Sequence, residues 1–261
     1  MRPLCCVRTD LQVRKGILIT ILAVVAFVVI VIARLPASWV IPSSAGAFSC
    51  GSLDGSIWNG SCSGLTVQGS PVGDLTWDIH TLRLLTGKLS ANIVLNRPTG
   101  SVSGDFAIGF DKSLSLSNVQ AALPLDRDLM SLVAPGMRTM QGSMQANIDQ
   151  ARITRNNIVT DIKGTIELHD LVAHDPEPTA WGSYRLSFPG GTTPPAGEVK
   201  DLGGGPLGVE GHVVMLQDKP GVNLDLLLTT HPNTPQSLME NLQYLAPDAQ
   251  GRRELQTEFG F

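Results

Sequence analysis

Charge is scarce in this chain: Asp, Glu, Lys and Arg make up only 16% of it, against roughly 25% in ordinary soluble domains. Aromatic residues are scarcer still, at 5%. A basic excess is also missing, since the formal net charge is −4. A nucleic-acid binder needs a basic face to displace counterions, so a nucleic acid is excluded as a partner. No stretch shows the strand–helix–strand rhythm of a doubly wound sheet. No carboxylate pair and no phosphate-binding loop occurs either, and the chain does not read as an enzyme. What it has in quantity is apolar residues at 43%, which argues against disorder, together with 27 Gly and 17 Pro. That combination predicts many turns and short elements.

The longest charge-free apolar run covers residues 16–33. As a helix it would be roughly 27 Å long, close to the roughly 30 Å core of a bilayer. A cleaved signal peptide is the rival reading. Its apolar core is usually shorter, and a small-x-small site follows closely, whereas here Arg34 and Pro36 follow and the triplet Ala45-Gly46-Ala47 lies far downstream. The expectation is therefore an uncleaved transmembrane helix over 16–34. Arg2, Arg8, Arg14 and Lys15 precede it against Asp10 alone, and no further Lys or Arg follows Arg34 until Arg83. The positive-inside rule then keeps residues 1–15 cytoplasmic and exports the rest. Beyond Arg34 the chain carries 22 acidic and 14 basic residues, so it has no electrostatic reason to lie on anionic lipid.

Cysteine usage fits this topology. Cys5 and Cys6 fall on the reducing side and read as free thiols. Cys50 and Cys62 fall on the oxidising side around a Gly-rich turn region, and a disulfide between them is expected. On the chain-entropy model such a bridge contributes about 3 kcal/mol.

The exported part alternates with a period of two. Leu75, Trp77 and Ile79 share a face; so do Leu89, Ala91, Ile93 and Leu95, then Val102, Gly104, Phe106, Ile108 and Phe110. Ile158, Ile162, Ile166 and Leu168 continue the pattern, followed by Val209, Val213 and Met215, and by Val222, Leu224, Leu226 and Leu228. Such alternation predicts antiparallel strands with one wet face. A unit of apolar-x-Gly-x-apolar recurs around Gly55, Gly87, Gly104, Gly142, Gly164 and Gly211. A glycine on the apolar face of a strand marks bending or close packing. The expected fold is thus mainly β: a curved, largely antiparallel sheet, half-open barrel or groove-like, with a short C-terminal helix. Thr234 is the expected cap of that helix and Leu238, Met239, Leu242 and Leu245 its apolar stripe. The organisation reads as a linker over 35–47, a β domain over 48–196, and a C-terminal β part over 197–261 that continues the same sheet.

Three motifs invite chemistry. Gly203-Gly204-Gly205-Pro206-Leu207-Gly208 matches the dinucleotide fingerprint in letters, but a polar loop precedes it and a strand follows, so it reads as a turn. His169 and His174 are the closest pair of histidines; no third His or Cys completes a zinc set, and they read as solvated loop residues. Gly60-Ser61-Cys62-Ser63-Gly64 has the letters of a nucleophile elbow but is expected among turns, where Cys62 reads as a disulfide partner. No cofactor or metal is expected.

Several short motifs occur in order: Arg34-Leu35-Pro36-Ala37-Ser38-Trp39, Gly55-Ser56-Ile57-Trp58-Asn59-Gly60 and Gly73-Asp74-Leu75-Thr76-Trp77. Leu84-Leu85-Thr86-Gly87-Lys88-Leu89, Leu123-Pro124-Leu125 and Gly204-Gly205-Pro206-Leu207 follow, up to Gly251-Arg252. This order resembles the protein N family of the bacterial type II secretion system. The resemblance implies an inner-membrane accessory subunit with a periplasmic domain, linking the inner-membrane platform to the outer-membrane secretin. The family is also similar to proteins with lipid-binding β grooves, so a lipid-handling or chaperone-like groove protein is the alternative. Trp39 and Trp58 are the expected partner contacts; Trp77 is expected in the core.

Overall fold

The computed structural model describes residues 20–24, 26–28, 30–40, 44–127, 129–130, 139–174, 178–232 and 234–260. A short helix, α1 (Ala37–Val40), is followed by three small strands, β1 (Ser44–Ala45), β2 (Phe48–Ser49) and β3 (Ser52–Gly55). Longer strands then follow: β4 (Asn59–Val67), β5 (Ser70–Ile79), β6 (Lys88–Arg97), β7 (Gly100–Gly109), β8 (Leu114–Leu125), β9 (Met140–Ile153) and β10 (Val159–His174). The last group is β11 (Pro178–Phe188), β12 (Ala196–Gly203), β13 (Leu207–Met215), β14 (Gly221–Thr230), helix α2 (Gln236–Leu242) and β15 (Arg253–Gly260). From β4 to β15 every strand pairs antiparallel with its sequence neighbours, within one 15-stranded sheet. The sheet is open, with β1 at one end and β15 at the other.

Register shows why the alternation becomes one face. Trp77 lies opposite Ile93, Ile93 opposite Gly104, and Phe106 opposite Leu116. Leu116 lies opposite Ala151, Ala151 opposite Ile162, and Ile166 opposite Leu186. Cross-strand apolar pairs therefore form a continuous row, while Asp78, Asn92 and Asp105 form a polar row on the other face. Pairs of this kind are the unit of sheet stability.

The sequence pattern breaks where the backbone does. In β8 the apolar parity runs through Leu114 and Leu116, then resumes at Val119 and Ala121. The slip falls on Asn118, held at φ 52°, where the β7–β8 register shifts. Asp170 at φ 51° does the same in β10. Gly164 has φ 147°, and a Cβ there would meet the Asn147 carbonyl oxygen at 2.3 Å, next to a shift in the β9–β10 register. These are β-bulges, which bend and twist a sheet.

Two copies of the glycine unit differ from the strand expectation. Gly87 is the left-handed C-cap of a 3-10 helix, Thr81–Thr86, and Gly55 ends β3 with φ 88°.

The best-buried core lies in the C-terminal half, where Phe188, Val199, Leu207, Val209, Val213, Leu228 and Leu242 cluster. Leu238 and Leu245 pack against it, so α2 closes over the sheet with Leu238 and Leu242, while Met239 of the expected stripe is exposed and Leu245 lies beyond the helix. Its start differs from expectation. The helix begins at Gln236 behind Pro235, without a side-chain cap. Thr234 instead accepts from the His231 amide at 2.8 Å and donates to the Pro206 carbonyl. Proline fixes the entry angle, and the threonine hydroxyl is used to tie the turn to β13.

Residues 20–24, 26–28 and 30–33 are helical. Among the described residues no helix is long and apolar enough to cross a membrane. The expected span 16–34 lies partly outside those residues, as do Cys5, Cys6 and the basic flank.

Candidate partner interface

The clearest built feature is the junction where the N-terminal helical residues meet the sheet. Ser56 and Ile57 follow the glycine that ends β3, and the Ser56 hydroxyl accepts from the amides of Trp58 at 3.2 Å and Asn59 at 3.1 Å. This serine turn presents the Trp58 indole, whose Nε1 donates to the Ile32 carbonyl at 2.9 Å. The Ile57 amide donates to the Leu35 carbonyl at 3.1 Å, and Pro36 bridges Ser56 in antiparallel fashion. Ala37 is fully buried. From below, the Trp77 indole donates to the Ile57 carbonyl at 3.1 Å. Trp77 is half-buried on the apolar row, so it supports the turn. Trp39, by contrast, is 81% exposed.

Cys50 and Cys62 are joined as a disulfide with Cα atoms 5.7 Å apart. Cys62 is 1% exposed and lies in β4, and the Gly51 amide donates to the Ser63 carbonyl at 2.9 Å beside the bridge. Residues 60–64 are therefore strand rather than turn, because Asn59–Val67 pairs with both β3 and β5. A shallow cleft beside it is lined by Asp54, Asn59, Ser61, Thr76, Asp78 and Asn92. Asn59 donates to Asp78 there at 3.0 Å.

The other motifs resolve structurally. His169 and His174 lie in β10 rather than a loop, and His169 Nε2 is 3.1 Å from Glu167. Glu167 also accepts from Arg185 at 2.7 Å, and chiefly this bond holds its carboxyl below the usual range, with His169 adding to it. Among the described residues no three His, Cys, Asp or Glu side chains gather as metal ligands. Gly204 and Gly205 form the bend between β12 and β13. Tyr184 donates to the Trp181 carbonyl, and burial, with Asp201 nearby, pushes its phenol up to about 12.

Two features escaped the sequence reading. One is a polar ladder on the wet face: Asp105 accepts from Asn118 at 3.2 Å and from Asn92 at 3.3 Å. The Asn118 bond chiefly lowers its carboxyl. The other is β15, whose alternation of Leu255, Thr257 and Phe259 was available as a signal.

Two matches place the chain among known proteins. The family model described as "Type II secretion system (T2SS), protein N" matches residues 47–256. A "Type II secretion system protein N" of Vibrio cholerae serotype O1 is 30% identical over 111 residues, covering 38% of this chain. The match spans about 40% of that relative's length. No solved structure matches.

Proposed function

The chain belongs to the type II secretion system protein N family, and from that premise we propose that it is a non-enzymatic accessory subunit of the secretion machine, linking the inner-membrane platform to the outer-membrane secretin. The match of residues 47–256 to the family carries this reading, because it takes in nearly the whole sheet. Residues 16–34 act as a single-pass anchor with the N-terminus cytoplasmic, on the strength of the charge-free run and its basic flank. The sheet is then periplasmic. Trp39 and Trp58 stand at the junction between anchor and sheet, and we assign them partner contact. Large aromatics with a polar handle dominate such hot spots.

The test is deletion of the gene in its native host, followed by assay of a secreted enzyme in medium and periplasm. Accumulation of the enzyme in the periplasm, reversed by the wild-type chain, is the expected result. Normal secretion together with altered envelope permeability would replace this reading with the second one.

That second reading is a lipid-handling β groove. One observation favours it: Trp77, Ile93, Leu95, Val102, Phe106 and Ile148 share the apolar face, yet each is only half-buried. An uncovered apolar row of this length suits acyl chains as well as protein.

A further inference from the structure

The two ends of the sheet are finished differently. At the N-terminal end the strands are two, two and four residues long, and short edge strands protect a sheet from pairing with strangers. At the other end β15 runs for eight residues. It pairs with β14 from Arg253 to Gly260 with no register shift, and it contains no proline or lysine. Only its start is covered. Pro247 bridges Arg253, and the Asp248 amide donates to the Arg252 carbonyl at 2.8 Å. Because backbone groups alternate sides along a strand, that bond fixes the parity. The peptide groups of Glu254, Gln256 and Glu258 face the same way as that of Arg252, away from β14. The Pro247 bridge flanks Glu254, and among the described residues no strand pairs with the outward groups of Gln256 and Glu258.

The side chains define what fits. On one face Leu255, Thr257 and Phe259 continue the apolar row from Leu226, Leu224 and Val222, and Phe259 is 45% exposed. On the other face Glu254 and Glu258 lie with Asp225 and Glu210 of the neighbouring strands. Lys219, which pairs with Glu258, and His212 stand against these acids, and Gln256 donates to Glu254 at 2.7 Å. A second copy of β15 would set four glutamates on one face of two adjacent strands, with only each copy's own Lys219 and His212 against them, which like-charge repulsion disfavours.

We propose that the free edge of β15 is a strand-addition site for an extended segment of another protein that alternates Lys or Arg with apolar residues. Backbone bonds to Gln256 and Glu258 supply affinity. The basic side chains meet Glu254 and Glu258, and the apolar ones extend the row past Phe259. This rests on the reading that the chain acts through protein contacts. The test below needs no secretion machinery, so its failure leaves the deletion phenotype standing, and the reverse.

The probe is a strand of alternating Lys and Val, fused behind Phe261 through a short Gly-Ser linker that holds it at roughly millimolar effective concentration. Hydrogen exchange is read across residues 254–260. The Lys-Val strand slows the Gln256 and Glu258 amides by roughly tenfold, while a Glu-Val strand leaves them unchanged. The double variant E254K/E258K reverses that preference. Gln256→Pro removes an outward donor without touching the β14 ladder, so it abolishes the slowing while β13 and β14 exchange as before. No slowing by Lys-Val, equal slowing by both probes, or slowing that survives Gln256→Pro overturns the proposal. So does concentration-dependent protection of β15 in the unfused chain, which would identify the occupant as a second copy.

Discussion

The Trp58 indole donates to the Ile32 carbonyl at 2.9 Å, so a ring in the β3–β4 turn holds the end of the N-terminal helical residues against the sheet. With the Ile57–Leu35 bond and the buried Ala37, it makes this junction a built connection. The angle between helix and sheet is then set partly by one donor. A Trp58→Phe variant keeps an aromatic ring but loses that donor, at a cost of about 1 kcal/mol. The Ile57 amide should exchange faster in this variant while far-UV dichroism stays unchanged. An unaltered Ile57 rate would mean the indole bond does not support the junction. Trp39→Ala should fold normally and lose partner capture, since the ring is 81% exposed.

The cysteine pair predicts a redox-dependent stability. The bridge closes a 12-residue separation, and removing it through a Cys50→Ser/Cys62→Ser pair should cost about 3 kcal/mol in chemical denaturation. Alkylation of the denatured, unreduced full chain should label Cys5 and Cys6 only. Labelling of all four would show that the bridge does not form in the cell.

Gly164 predicts a backbone effect that no side-chain contact would reveal. Its φ is 147°, and the Asn147 carbonyl oxygen lies 2.3 Å from where a Cβ would stand, so Gly164→Ala must strain β10 or move β9. A loss of about 2–4 kcal/mol is expected. Lys163→Ala beside it points to solvent and should change stability by less than about 0.5 kcal/mol. Equal effects of the two would remove the bulge argument.

Glu167 gives a signed pH dependence. Its folded-state carboxyl is lowered, first by the Arg185 hydrogen bond. A depressed acid contributes stability that is present above its unfolded value and lost as pH falls through its folded one. NMR titration of Arg185→Gln should therefore move the Glu167 midpoint upward. An unmoved midpoint would assign the lowering elsewhere.

How far the sequence could be read depended on parity. Strands β6, β7, β13 and β14, and β5 from Leu75 to Ile79, keep one alternation and were legible, as was the single polar face. β8 was not, because Asn118 shifts the parity between Leu116 and Val119, and no local pattern announces a bulge. Thr234 had the right residue type for a helix cap, but its hydroxyl is used by Pro206, 28 residues away. The junction was legible only as motif letters. That Trp58 reaches Ile32 follows from the return of β3 and β4 to the start of the chain, which sequence spacing does not encode.

The central claim is that this chain works as part of the secretion machine through its Trp58 junction and sheet. Its most direct test is affinity capture of the full-length protein from detergent-solubilised membranes of the native host, with quantification of both co-purifying proteins and bound lipid. The account predicts that secretin or platform subunits are enriched with the wild-type chain and fall to background with Trp39→Ala, while bound phospholipid stays at the level of an unrelated single-pass protein. Stoichiometric phospholipid with no secretion subunit would contradict it.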